Sequence, residues 1–316
     1  MEEVPGKKPQ YDAGVTRHFL TGAELTRGEL IALIDRAAAL KANRLASDVL
    51  AGKSVALVFE APSTRTRVSF EVGVSELGGT PVVLRGDELQ LSRGESPRDT
   101  AMVLSRFVHA IGIRTGDHAP LEELAEYGSV PVVNMLTRDH HPCQALADLL
   151  TLQERFGTLD GLRLAYVGDG NNVAASLMVL GAKSGVDVVV ASPADLAPTT
   201  AAVELAQAGA EGSGRATVVT DPQEAATGAH AVYTDVWVSM GDDASEAASR
   251  RAALEPYRID AALLTAARDD AIALHCLPAH PGEEITAEVL YGPRSAVWDQ
   301  AENRLHAQKA LLELLI

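Results

Sequence analysis

The chain has 316 residues, 47% hydrophobic but only 4% aromatic, with 27 Lys+Arg against 43 Asp+Glu for a net charge of −16. That length supports two α/β domains with cores built from Ala, Val, Leu and Ile. The acidic balance argues against nucleic acid or an anionic membrane surface as partner, and no stretch approaches the ~18 apolar residues of a membrane span.

In so acidic a chain, an anion site needs a deliberate cluster of positive charge. The two cysteines, Cys143 and Cys276, are too few for a disulfide framework and fit a reducing, cytoplasmic setting. Residues 1–10 lack an apolar signal core and read as a loose tail. Residues 24–45 place Leu25, Leu30, Leu33, Ile34, Ala37 and Leu40 at helical spacing, which predicts one or two helices beside a sheet. The apolar run 54–59 then reads as a buried strand. Pro62 stops it, and Ser63 or Thr64 offers a hydroxyl cap for a helix beginning near Thr66. A helix start leaves backbone N–H groups unpaired and carries about half a positive charge. With two hydroxyls and the guanidinium groups of Arg65 and Arg67 added, the turn becomes a receptor for a phosphate dianion. Read alone it is an ordinary capped helix; its partners downstream decide otherwise.

Ser63-Thr64-Arg65-Thr66-Arg67 at a strand-to-helix turn resembles the carbamoyl-phosphate site of the aspartate/ornithine carbamoyltransferase family. Residues 68–77 continue the helix to the Gly78-Gly79 stop, and 81–84 form a short strand. The polar segment 86–97 reads alone as a surface loop. In the family the loop at this place enters a neighbouring subunit's active site, which implies Gln90 as a carbamoyl-phosphate contact supplied in trans. Residues 99–109 predict a helix and 110–114 a strand whose C-terminal end delivers Arg114, where open α/β sheets bind ligands.

A strand at 130–134 precedes Asp139-His140-His141-Pro142-Cys143-Gln144. Pro142 suits the first turn of a long helix, and His141 and Gln144 can face one point from its start. Two histidines and a cysteine hint at zinc, but no further ligands stand at suitable spacing. The family's His-Pro-x-Gln motif implies that His141 and Gln144 meet the carbonyl oxygen and amide of the carbamoyl group. Cys143 then occupies a variable position as a packing residue.

The second half opens with strand 162–167 and Gly168-Asp169-Gly170-Asn171-Asn172-Val173. This is similar to a dinucleotide turn, yet Val173 replaces the third glycine and no acidic ribose partner follows, so a nucleotide role is disfavoured. In the family this turn binds the amino-acid substrate, which implies Asn172, with Asn171 as the alternative. Further strands are expected at 186–191, 217–220 and 230–234, and helices at 199–208 and from 222. Asp235-Val236-Trp237-Val238-Ser239-Met240-Gly241 resembles the Asp-x-x-x-Ser-Met-Gly signature of the ornithine-using branch. An acidic Asp235 suits an ammonium group and disfavours an acidic acceptor. Strand 271–275 ends in His275-Cys276-Leu277-Pro278. A lone cysteine is ordinarily buried packing, but the resemblance gives Cys276 and the Leu277 carbonyl the δ-amine of ornithine. Many relatives have Arg where this chain has Pro281. Helix 301–315 carries Arg304, which in the family returns to the phosphate site.

The resemblance spans about residue 17 to residue 316. It implies an α/β fold of two doubly wound parallel-sheet domains meeting at a central cleft: residues 1–141 with the C-terminal helix 300–316 for carbamoyl phosphate, and 142–299 for L-ornithine. It implies a homotrimer with active sites shared between subunits, acting in arginine biosynthesis without metal or cofactor. Arg65, Arg114 and Arg304 with Ser63, Thr64 and Thr66 would neutralise the phosphate, and Thr66, Arg114 and His141 would steady the oxyanion. The amine attacks only when neutral; desolvation and nearby arginines lower its pKa. Two rivals are a carbamoyltransferase for another amine (putrescine, lysine or an acetylated ornithine) and a non-enzymatic anion sensor. Retention of Asp235, Ser239 and Met240 opposes the first, and retention of Arg65, His141, Gln144 and Cys276 the second.

Overall fold

The computed structural model describes residues 16–89, 94–238 and 245–316. Its first half runs α1 (Arg27–Ala42), β1 (Ser54–Phe59), α2 (Thr64–Glu76), β2 (Thr80–Arg85), α3 (Pro97–Leu104), β3 (Ala110–Arg114), α4 (Ala119–Tyr127) and β4 (Val132–Leu136). Helix α5 (Pro142–Phe156) crosses to β5 (Arg163–Val167), α6 (Asn172–Ser184), β6 (Asp187–Ala191), α7 (Thr200–Ala208), β7 (Arg215–Val219) and α8 (Pro222–Ala226). The chain ends with β8 (Ala231–Thr234), α9 (Ala247–Leu254), α10 (Ala261–Ala266), β9 (Ile272–His275), α11 (Ala287–Leu290) and α12 (Val297–Leu315). Among the described residues no helix is long and apolar enough to cross a membrane.

The strands form two parallel sheets, ordered β2-β1-β3-β4 and β7-β6-β5-β8-β9. Central strands such as β1 are almost continuously apolar and buried, as parallel strands covered on both faces must be. In each sheet the strand order reverses once, between β1 and β3 and between β5 and β8. Such switch points open crevices at the strands' C-terminal ends, where α/β proteins bind ligands. Phe59 pairs in register with Arg114 at the first. The turn after β5 and Asp235 after β8 lie at the second. Both crevices therefore coincide with the sequence motifs.

Several boundaries differ from the expected ones. α2 begins at Thr64, two residues early, and α12 at Val297, which brings Gln300 into that helix. β4 starts after Pro131 because proline cannot donate to the ladder. α3 stops at Leu104 instead of continuing to 109, since His109 already donates its N–H to the Ser54 carbonyl where β1 and β3 begin to pair. Gly170 serves close packing: a Cβ there would stand 2.2 Å from the Pro198 nitrogen. α12 returns to the first half and packs on α1, α2 and α5. Its Lys309 is fully buried, where its Nζ donates to Glu76 and to the Arg44 carbonyl.

Candidate active site

The first crevice is cationic. Ser63 is the N-cap of α2 in an extended conformation, but its hydroxyl makes no capping bond. That leaves the hydroxyl and the first-turn N–H groups available for an anion. Thr66 is buried and its Oγ1 accepts from Arg304 Nη2 at 2.7 Å. Arg304 Nη1 donates to Gln144 Oε1 at 2.9 Å. Arg114 projects from the end of β3, and the Nε atoms of Arg114 and Arg304 are buried without a hydrogen-bond partner among the described residues. Burial, then the charges of Arg304 and Arg65, push the Arg114 guanidinium down to about 10. Burial likewise lowers Arg304. Guanidinium groups crowded together, with no direct ion pair to a carboxylate among the described residues, form a site that a dianion stabilises. Arg67 does not contribute, because it turns outward to pair with Glu71 at 2.6 Å.

His141 caps α5 from the same crevice, and its backbone N–H donates to Ser176 Oγ at 2.7 Å across the two halves. The imidazole is buried, and burial with Arg304, Arg114 and Arg65 holds its pKa well below the ordinary range. It is therefore a neutral ring, able to donate to a carbonyl oxygen without adding charge. Its Nδ1 has no partner among the described residues. Cys143 is buried and its thiol donates to the Asn134 carbonyl, its pKa pushed up to about 12 by burial.

The second crevice is acidic. Asp235 is buried and accepts from Asn171 Nδ2 at 2.8 Å on one oxygen and from Cys276 Sγ at 2.8 Å on the other. Burial first, then Asp235, raises the Cys276 pKa well above its ordinary value, so the sulfur is a thiol donor and not a thiolate. Cys276 lies within electrostatic reach of Arg114 and Arg304, so the two crevices face a common space. Leu277 adopts φ +58°, and its carbonyl accepts no hydrogen bond among the described residues. Asp235, His275 and Cys276 bring three potential metal donors together. Both His275 nitrogens are engaged, however: Nδ1 accepts the Leu277 N–H at 2.8 Å and Nε2 bonds Glu284 at 3.1 Å.

The structure thus gathers Ser63, Thr64, Arg65, Thr66, Arg114, His141, Gln144 and Arg304 at one crevice, and Asp235, Cys276 and Leu277 at the other. Gln90, Ser239 and Met240 lie outside the described residues. The paired asparagines divide their work. Asn171 caps α6, accepting from the Val173 and Ala174 N–H groups, and orients Asp235. Asn172 Nδ2 donates to the Thr137 carbonyl in the first half. Sequence reasoning passed over Asp148, which accepts from Gln144, and Gln300, which donates to the same Asp148 oxygen. The available signal was an acidic residue four positions after Gln144, on the same helical face.

Two family models match the chain: the aspartate/ornithine carbamoyltransferase carbamoyl-P binding domain over residues 17–154, and the family's Asp/Orn binding domain over residues 160–315. The chain belongs to the aspartate/ornithine carbamoyltransferase family. As a family member it is 59% identical over 302 residues to the ornithine carbamoyltransferase of Acidothermus cellulolyticus, covering 95% of this chain and 96% of that protein. It is 53% identical to that of Methanoculleus marisnigri, covering 95% and 97%. The solved ornithine carbamoyltransferase of Pyrococcus furiosus superposes with a TM-score of 0.90 at 47% identity, covering 96% and 98%. A solved N-acetyl-L-ornithine transcarbamylase mutant superposes at 0.84 with 34% identity, covering 95% and 100%. The carbamoyltransferase architecture accordingly extends over both sheets and α12.

Proposed function

We propose that the chain transfers the carbamoyl group of carbamoyl phosphate to the δ-amine of L-ornithine, giving L-citrulline and phosphate. The observation that carries this reading is the Asp235–Cys276 pair within reach of a three-arginine crevice. An ammonium binds at the first and a phosphate dianion at the second, and the reacting atoms meet between them.

Ser63, Thr64, Arg65, Thr66, Gln144 and Arg304 hold carbamoyl phosphate, with Arg114 and neutral His141 on its carbonyl oxygen. Asn172, Asp235, Ser239 and Met240 hold the ornithine head group, and Cys276 with the Leu277 carbonyl directs the δ-amine. That amine is protonated in free solution, near pKa ~10, and the arginines and desolvation lower its pKa in the crevice. Its nitrogen attacks the carbamoyl carbon, Arg114 and His141 stabilise the oxyanion, and the C–O bond to phosphate breaks. The departing phosphate takes the proton. Holding both substrates in line contributes on the order of 7–11 kcal/mol to lowering the barrier.

Residues 1–141 with helix 300–316 form the carbamoyl-phosphate unit and 142–299 the ornithine unit in this reading. We assign the active form to a homotrimer with Gln90 supplied by a neighbouring subunit, working in cytoplasmic arginine biosynthesis. The exposed apolar Met102, Val103 and Phe107 (71% exposed) offer surface that a second copy would cover. A colorimetric citrulline assay with an acceptor panel tests the reaction. Ornithine should be the preferred acceptor; carbamoylation of putrescine, lysine or N-acetylornithine in its place would overturn the assignment.

A further inference from the structure

Gln144 is bonded at both ends of its side-chain amide. Oε1 accepts from Arg304 Nη1 at 2.9 Å, and Nε2 donates to Asp148 Oδ1 at 2.8 Å. Only this orientation satisfies both neighbours. Reversed, the amide would set its NH₂ against a guanidinium and its oxygen against a carboxyl oxygen. The same Asp148 oxygen accepts Gln300 Nε2 at 2.7 Å, and Gln300 Oε1 accepts the His275 N–H at 2.9 Å. One chain of hydrogen bonds therefore runs from His275, beside Cys276, through Gln300, Asp148, Gln144 and Arg304 to Thr66.

We propose that Asp148 is a positioning residue for carbamoyl transfer, which locks the Gln144 amide so that its oxygen faces the carbamoyl NH₂. The inference rests on the carbamoyl-phosphate reading above. A carbamoyl NH₂ only donates, and Gln144 Oε1 keeps a second lone pair after accepting from Arg304. Without Asp148 only Arg304 would oppose the reversed amide, which presents a donor to a donor.

Asp148 is completely buried, and burial pushes its carboxyl up to about 7. The groups facing it are Gln144 on its own helix, Gln300 and Arg304 on α12, the Tyr233 hydroxyl on β8 and Cys276 after β9. Oδ2 has no hydrogen-bond partner among the described residues. A proton can sit on Oδ2 while Oδ1 goes on accepting both amides, so the lock holds in either protonation state.

The test compares carbamoyl phosphate with inorganic phosphate, since Gln144 addresses only the carbamoyl end. In Asp148→Leu the KM for carbamoyl phosphate should rise ~tenfold, the loss of about one hydrogen bond, while inhibition by inorganic phosphate changes less than about twofold. Asp148→Asn keeps the Oδ1 acceptor and should retain wild-type discrimination between the two ligands at pH 6 and pH 8. Equal weakening of both ligands in a folded Leu variant, or no change in either, would overturn the proposal. If the Leu variant does not fold, the Asn variant decides: preserved discrimination supports the lock, and its loss contradicts it. Wild-type enzyme that made no citrulline would refute the underlying reaction instead.

Discussion

Arg65 has a direct role in this account: it stands at the α2 start with no carboxylate ion pair among the described residues, in the field of Arg114 and Arg304. Arg65→Ala should raise the KM for carbamoyl phosphate at least ~tenfold while the melting temperature stays within a few degrees, read by steady-state kinetics and calorimetry. Cys276 gives a chemical test. Its raised pKa means less thiolate at pH 8 than an ordinary cysteine carries, so iodoacetamide should modify it more slowly than free cysteine. Faster modification would show an activated thiolate. Asp148 gives a linkage test. Its folded pKa, about 7, lies above the ordinary value of 3.8, so the folded state holds the proton more tightly and this stabilisation is lost as pH rises between them. The melting temperature of Asp148→Asn should therefore gain on wild type from pH 4 to pH 7 and hold that gain above pH 7. These residues differed in legibility. Arg65 was readable because Pro62 and the Ser63-Thr64 cap define a helix start in one dimension. Asp148 was not, because an acid between leucines reads as the solvent face of an amphipathic helix until α12 is seen to cover it.

The strands and their order of appearance were legible as apolar runs ending in polar, chemistry-bearing turns. Their sheet neighbours were not, because pairing β1 with β3 and β5 with β8 depends on crossover geometry. The double service of α12 was visible only in part. Arg304 could be placed by resemblance, whereas Gln300 fell just before the expected helix 301–315 and inside the observed one, which begins at Val297. The paired asparagines show the same limit: a cap and a ligand contact look alike in sequence, and only the bond from Asn171 to Asp235 separates them. α12 is also a structural clasp through Lys309 and Glu76, 2.8 Å apart. Removing one partner of a buried ion pair costs about 3–5 kcal/mol. Lys309→Ala should accordingly lower the melting temperature by several degrees in calorimetry, and Arg304 held less firmly should weaken carbamoyl-phosphate binding in parallel.

At the scale of the molecule, two switch points are turned toward one another, so neither half holds a complete reaction site. The trans assignment of Gln90 extends this dependence to the neighbouring subunit. Mixed trimers of Gln90→Ala and Arg65→Ala subunits should regain part of the activity that each homotrimer lacks, through hybrid sites free of both substitutions. Complete absence of rescue in verified mixed trimers would contradict a shared site. In the proposed reaction, carbamoyl phosphate bound within one subunit would complete the pocket that the amino acid enters, a coupling typically of 1–3 kcal/mol.

Trp237 reports on that coupling directly. It is buried beside the Gly168 turn, and its carbonyl accepts from Arg250 Nε at 2.8 Å. Trp298 is 54% exposed, and Trp298→Phe removes its signal. Norvaline carries the α-carboxylate and α-amine of ornithine but no nucleophile, so it occupies the acceptor crevice without turnover. The decisive measurement is a norvaline titration of Trp237 emission in the Trp298→Phe protein, with and without saturating carbamoyl phosphate. The account predicts at least ~fivefold tighter binding with carbamoyl phosphate present; equal affinity in the two titrations would contradict the claim that the two halves form a single site.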